Sequence, residues 1–240
     1  MTDETYLAQV EVVRQLSPDV REITSRMVDP PTLDFRAGQA ITVRGGSFFE
    51  KPLKRTYSLA SPPAFKDRFI LCVRLVGGYK GTEFMSRIQV GDMMSFMPPF
   101  GEFVVKTESS NPLLFVATGT GTSPCRAMIH DQLDKRSRRP MRFYFGAAKE
   151  RDIIYAEEFK QLETAHPNFR YVATLNEPEA CWNGRRGKLA EIFLHDPDLQ
   201  TDADWYLSGN GAMIAEVQDI LKSRGVSIDR IHIEQFFPAR

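Results

Sequence analysis

The stretch LLFVATGTGTSPCRAMI, residues 113–129, decides the fold of the second half of this chain. It opens with an apolar run of strand length, the pattern of a strand covered on both faces in a parallel sheet. Gly119 and Gly121 then turn the chain, and helical patterning follows over 124–135. Pro124 suits the first helical turn, where its missing N–H costs nothing. A turn of this kind lets backbone amides and a helix N-terminus meet an anion. It serves equally as an ordinary structural turn, because Pro124 stands where a third glycine of the full dinucleotide fingerprint would fall.

Alternation continues beyond that segment. Strands are expected at 141–145, 169–175, 205–208 and 231–236, and helices at 156–165, 188–194 and 212–223, which is the grammar of a parallel α/β sheet. The strand end WYLSGNGAMI, residues 205–214, again delivers small residues (Ser208, Gly209, Gly211) to the carboxyl edge, where open α/β sheets bind ligands. The first hundred residues read differently, as short β segments at 6–16, 20–27, 40–43, 55–59, 68–75 and 93–97, with Pro and Gly between them and no helix of four turns. The polar, Pro-containing KTESSNP separates the two textures. The expected architecture is two domains, an antiparallel β-barrel over 1–108 and an open doubly wound parallel sheet over 109–240.

Composition narrows the function classes. Thirty-one Lys and Arg balance 31 Asp and Glu, which removes any bulk electrostatic case for nucleic acid or an anionic membrane surface. Cys72, Cys125 and Cys181 are too few and too scattered for a disulfide framework, and the four histidines are too far apart for a helical metal pair, so no metal site is expected. The acidic start MTDETYLAQV does not read as a secretory signal, and no apolar run is membrane-sized. The expectation is a soluble, reduced, cytoplasmic protein.

Six segments in order, RTYSLASPP (55–63), VGGYKGTEFM (76–85), PPFGEF (98–103), GTGTSP (119–124), FGAAKERDIIY (145–155) and LSGNGAMI (207–214), resemble the ferredoxin-NAD(P)H reductase family, which includes reductase components of bacterial oxygenases. The resemblance spans nearly the whole chain. It implies that Arg55, Thr56, Tyr57 and Ser58 form the flavin motif, with the arginine on the flavin phosphate, the tyrosine on the isoalloxazine and the serine near N5. The residue types suit those tasks, although the same four also read as an amphipathic strand with Tyr57 and Leu59 on one face and Thr56 and Ser58 on the other. Gly81 and Thr82 match the segment that wraps the flavin pyrophosphate at a helix start, which favours FAD over FMN, and Val73 and Lys80 are implied beside them. Gly119, Thr120, Gly121, Thr122 and Ser123 match the pyridine-nucleotide pyrophosphate loop. Ser208, Gly209 and Met213 fall in the strand end beside the nicotinamide, where Ser208-Gly209-Asn210 departs from the Cys-Gly-Pro common among relatives. Glu234, with Phe236 or Phe237, matches a C-terminal acid and aromatic near the flavin, or else a final strand with buried Phe.

The resemblance places the adenosine ribose near Asn176, Glu177 and Arg185. A carboxylate there repels a 2'-phosphate and accepts from a 2'-hydroxyl, leaning toward NADH, while Arg185 and Arg186 pull toward NADPH. The implied activity is FAD-dependent hydride transfer, with Ser58, Ser208 and Glu234 as the catalytic set, and electrons passed singly to an acidic ferredoxin, flavodoxin or oxygenase-type acceptor. No plant-type cluster motif occurs, so an iron-sulfur centre would belong to the partner. Lys51 and Lys54 beside the flavin motif, and the run KRSRRP (135–140), are candidate docking cations or solvated loops. A free flavin reductase or diaphorase, and a non-catalytic nucleotide-binding protein, are the alternatives.

Overall fold

The computed structural model describes residues 4–44, 54–75 and 80–237, without the side chains of 80–83 and 237. Lys51 therefore lies outside the described residues. The chain divides into two compact units, Met1–Val105 with Arg126–Gln132, and Lys106–Cys125 with Leu133–Arg240.

In the first unit, β1 (Tyr6–Ser17), β2 (Val20–Asp29), β3 (Ala40–Arg44), β4 (Lys54–Ser58), β5 (Arg68–Arg74) and β6 (Met93–Phe96) form an antiparallel sheet in the order β4-β3-β6-β1-β2-β5. The eight-residue helix α1 (Lys80–Arg87) precedes β6. Alternation sets which residues face the core, and a bulge resets it: Val10 pairs with Ser25 and is 1% exposed, whereas Val12 pairs with Thr24 and is 48% exposed. The two edge strands approach through one bridge, Leu59 to Leu71, supported by Ala60 N–H donating to the Ile70 carbonyl at 2.8 Å and Ile70 N–H donating to Ser61 Oγ at 3.1 Å. That contact closes the sheet on itself, which is the expected barrel. It also explains why Ser58 is buried along with Leu59, against the simple two-faced reading of the strand.

In the second unit, β7 (Leu113–Thr118) leads through a single 3-10 turn (Gly119–Gly121) into α2 (Thr122–Asp134), whose middle, Arg126–Gln132, is counted with the first unit. Then come β8 (Met141–Ala147), α3 (Ala156–Ala165), β9 (Phe169–Leu175), β10 (Arg185–Arg186), α4 (Leu189–His195), β11 (Asp204–Asn210), α5 (Gly211–Ser223) and β12 (Ile231–Phe237). The sheet is parallel, in the order β10-β9-β8-β7-β11-β12. β7 and β11 are central and covered on both faces, which is why β7 is apolar from Leu113 to Ala117 and β11 from Trp205 to Leu207. Pro124 is the third residue of α2, within its first turn as expected. The two-residue β10 was not expected; it is too short to carry a hydrophobic period.

KTESSNP is fastened rather than loose. Lys106 N–H donates to the Tyr206 hydroxyl at 2.9 Å, and Asn111 Nδ2 to Asp204 Oδ1 at 3.2 Å. Arg139 completes this network, donating from Nε to the Asn111 carbonyl at 2.6 Å and from Nη2 to Asp204 Oδ2 at 2.7 Å. The Arg139 and Asp204 side chains are only 12% and 5% exposed. The reading of KRSRRP as docking cations or a solvated loop therefore fails at Arg139, whose guanidinium is a buried structural partner.

Candidate functional site

The strand order of the second unit reverses at β7. From β7 the chain moves by α2 to β8 and β9, then crosses back by α4 to β11 on the other side of β7. Such a switch point leaves a crevice at the carboxyl ends of the two central strands. The two glycine segments singled out from the sequence stand there together.

Their contact is backbone to backbone. A Cβ on Gly121 would lie 2.6 Å from the Ser208 carbonyl carbon and 2.8 Å from Gly209 Cα, so only glycine permits the approach. Gly119 has φ +53° and nothing within 4 Å of its Cβ direction, so a left-handed residue opens the turn to its surroundings. No side chain caps this turn. At the neighbouring end, Asn210 Oδ1 accepts from the Ala212 and Met213 amides at 2.8 and 3.4 Å, which fills the first turn of α5. The turn at Gly119–Gly121 has no such side-chain cap, although the Thr122 amide that follows it already donates to the Gly119 and Thr120 carbonyls. Thr122 Oγ1, Ser123 Oγ and Ser208 Oγ are buried without a hydrogen-bond partner. These hydroxyls are as closed to the surface as Val73 is, so the part of this strand end that fits a phosphate-bearing ligand is the glycine turn, uncapped and open at Gly119.

Glu234 on β12 pairs in register with Ser208. Burial, and secondarily the Glu234 charge, push the Cys125 thiol well up, so it stays protonated and unreactive. Phe236 is half-buried two residues beyond Glu234, and the Phe237 side chain lies outside the described residues. Asn176 and Glu177 are exposed at the end of β9, tied by their amides to the Ala147 and Ala148 carbonyls at 3.0 and 2.9 Å. Arg185 is exposed. Arg186 is not free, donating from Nη2 to the carbonyls of Glu179, Ala180 and Trp182.

In the first unit, β4 carries the RTYS residues. Arg55, Thr56, Tyr57 and Ser58 pair with Val43, Thr42, Ile41 and Ala40 of β3. Lys54, Arg55 and Thr56 are exposed, and Thr56 Oγ1 bonds Thr42 Oγ1 at 3.0 Å. Tyr57 is half-buried against the barrel core, and burial raises its phenol to about 12, with Arg55 opposing, so it presents a neutral ring. The residue types therefore fit a flat ring beside a phosphate. Gly81 and Thr82 fall in the first turn of α1. Val73 is a core residue, 1% exposed, leaving its side chain no surface for a ligand. Thr118 lies outside the sequence expectation, and Asn210 was noted there only as part of the departure from Cys-Gly-Pro. The Asn before an apolar helical run was a visible N-cap signal, whereas Thr118 carried none.

A switch-point sheet with a phosphate-shaped glycine end defines a nucleotide-binding unit. Residues 7–105 match the oxidoreductase FAD-binding domain family and 115–219 the oxidoreductase NAD-binding domain family. The ferredoxin--NADP reductase B of Sorangium cellulosum is 32% identical over 97% of this chain and 98% of its own length. A component of the Na(+)-translocating NADH-quinone reductase of Haemophilus ducreyi is 33% identical over 76% of this chain, which spans only 48% of that protein. Among solved structures, the Amycolatopsis cytochrome P450 reductase GcoB superposes with a TM-score of 0.88 at 25% identity, over 99% of this chain and 71% of that one. The chain belongs to the ferredoxin reductase-like family of FAD- and pyridine-nucleotide-dependent oxidoreductases. Its function is electron transfer between NAD(P)H and an electron carrier.

Proposed function

We propose that residues 1–108 hold FAD and residues 109–240 hold NADH, and that the acceptor is an acidic ferredoxin, a flavodoxin or an oxygenase component. The observation that carries the nucleotide half is the Gly121 to Ser208 backbone contact at the switch point, beside the open, left-handed Gly119. When bound, FAD supplies the chemistry that takes a hydride from the nicotinamide and releases electrons singly. The protein's part is positioning. Arg55 meets the flavin phosphate, the neutral Tyr57 ring covers the isoalloxazine, and Ser58 approaches N5. The turn after β7 takes the coenzyme pyrophosphate, Ser208 and Met213 border the nicotinamide, and Glu234 lies in register beside Ser208. Lys80, Gly81 and Thr82 take the flavin pyrophosphate.

Two observations support NADH over NADPH. Glu177 is exposed at the ribose end, where its carboxylate repels a 2'-phosphate, and Arg186 is committed to three carbonyls. Arg185 is the remaining cation there. The names of two relatives point in different directions, one carrying NADP and the other NADH. Steady-state oxidation of each nucleotide with ferricyanide tests the reading: activity should require FAD and give a higher kcat/KM with NADH. Turnover that ignores FAD, or a preference for NADPH, would contradict it.

A further inference from the structure

The ends of β7 and β11 are joined by a hydrogen bond that involves none of the residues proposed to touch coenzyme. Asn210 N–H donates to Thr118 Oγ1 at 3.2 Å. Thr118 also closes over Gly209, whose φ is +128°: a Cβ there would lie 2.7 Å from both the Thr118 carbonyl oxygen and Oγ1. The turn from Ser208 to Asn210 is thus gripped from two sides, by Thr118 through the Asn210 backbone and by the first amides of α5 through the Asn210 side chain. Thr118 is also the residue immediately before Gly119, so one side chain belongs to the phosphate-binding turn and holds the neighbouring turn in place.

We propose that Thr118 is a positioning residue for hydride transfer, fixing the Ser208 turn relative to the loop that holds the coenzyme pyrophosphate. The inference rests on the nucleotide reading above. Anchoring of the coenzyme falls to Gly119–Gly121 and the start of α2, while its reactive end depends on where Ser208 and Gly209 stand. Without Oγ1 the Asn210 N–H, at an exposed position, turns to water, and the second turn gains freedom that the first does not. Reacting atoms must approach to about 3–3.5 Å, and a shift of about 1 Å costs up to about a hundredfold. The signature is therefore a fall in rate without a matching fall in affinity.

The test uses the full-length, FAD-loaded protein, mixed without oxygen with the coenzyme that reduces it, reading flavin bleaching. Thr118→Val keeps the shape and removes the acceptor; Thr118→Ser keeps the acceptor. Thr118→Val should bleach about five- to twentyfold more slowly at saturating coenzyme, with coenzyme Kd and FAD content within about twofold of wild type, and Thr118→Ser should recover most of the rate. Bleaching of Thr118→Val at the wild-type rate, an equal loss in both variants, or a loss confined to Kd would overturn the positioning role. A wild-type flavin that neither NADH nor NADPH bleaches would instead remove the nucleotide reading, and Thr118 with it.

Discussion

A methyl group at position 121 would collide with the end of the neighbouring strand, since its carbon would fall 2.6 Å from the Ser208 carbonyl carbon. Backbone cannot step aside as a flexible side chain can, so Gly121→Ala should destabilise the protein by about 1–3 kcal/mol and slow flavin reduction. Denaturant titration and flavin bleaching check this, and an unperturbed variant would mean that the two strand ends are not in backbone contact. Arg55 makes a complementary case. Its Nη1 donates to the Lys54 carbonyl next to it, at 2.9 Å, and the side chain is exposed. Arg55→Ala should therefore leave the fold intact while weakening FAD binding by about 1.5–3 kcal/mol, the worth of a hydrogen bond to a charged group. FAD affinity by fluorescence titration decides, and unchanged affinity would detach the RTYS segment from the cofactor. At this scale Gly121 was visible in the sequence because a glycine between strand and helix has few uses. Thr118 was not, because its importance comes from Asn210, ninety-two residues away.

Between elements, the parallel pair of β11 and β12 brings Tyr206 and His232 to ring centroids 4.7 Å apart. Burial holds the His232 imidazole below its ordinary value, Lys106 adds to this, and Asp204 and Asp229 pull the other way. The unfolded chain thus binds this proton more tightly than the folded one. The associated stability is present above the unfolded value of about 6.5 and is lost as the pH falls through it toward the lower folded value. His232→Phe keeps a ring and removes the titration, so wild-type melting should fall more steeply than the variant's from about pH 7.5 to 5.5. Parallel pH profiles would rule this out. The Arg139 to Asp204 pair, nearly buried, predicts that Arg139→Ala costs about 3–5 kcal/mol by leaving the Asp204 carboxylate without its cation and with only the neutral Asn111 amide, read by denaturant titration. A loss within the small range of surface pairs would contradict its structural role. Most elements were legible from periodicity to within a residue or two, as β7, α3 and β9 show. Arg139 was not, because charge runs look solvated until the fold supplies a carboxylate 65 residues away.

For the whole molecule, the change in texture at KTESSNP announced an antiparallel unit and a parallel one, because apolar alternation and continuous apolar runs imply different numbers of covered faces. The barrel was expected from these short β segments, but the Leu59 to Leu71 bridge that closes it, with the Ala60, Ser61 and Ile70 hydrogen bonds beside it, carried no sequence signal. The balanced charge places any partner recognition in local patches, among which are exposed Lys54 beside the flavin motif and the exposed Lys135, Arg136 and Arg138. Lys54→Glu should slow reduction of an acidic ferredoxin by about two- to tenfold at low salt and leave ferricyanide reduction unchanged; equal rates would move docking elsewhere. The central claim is that this chain carries a hydride from a pyridine nucleotide to bound FAD. An oxygen-free titration of the purified, FAD-reconstituted protein tests it most directly. The account predicts full bleaching of the flavin by one equivalent of NADH. A protein that retains no FAD, or whose bound FAD stays oxidised with both NADH and NADPH, would contradict it.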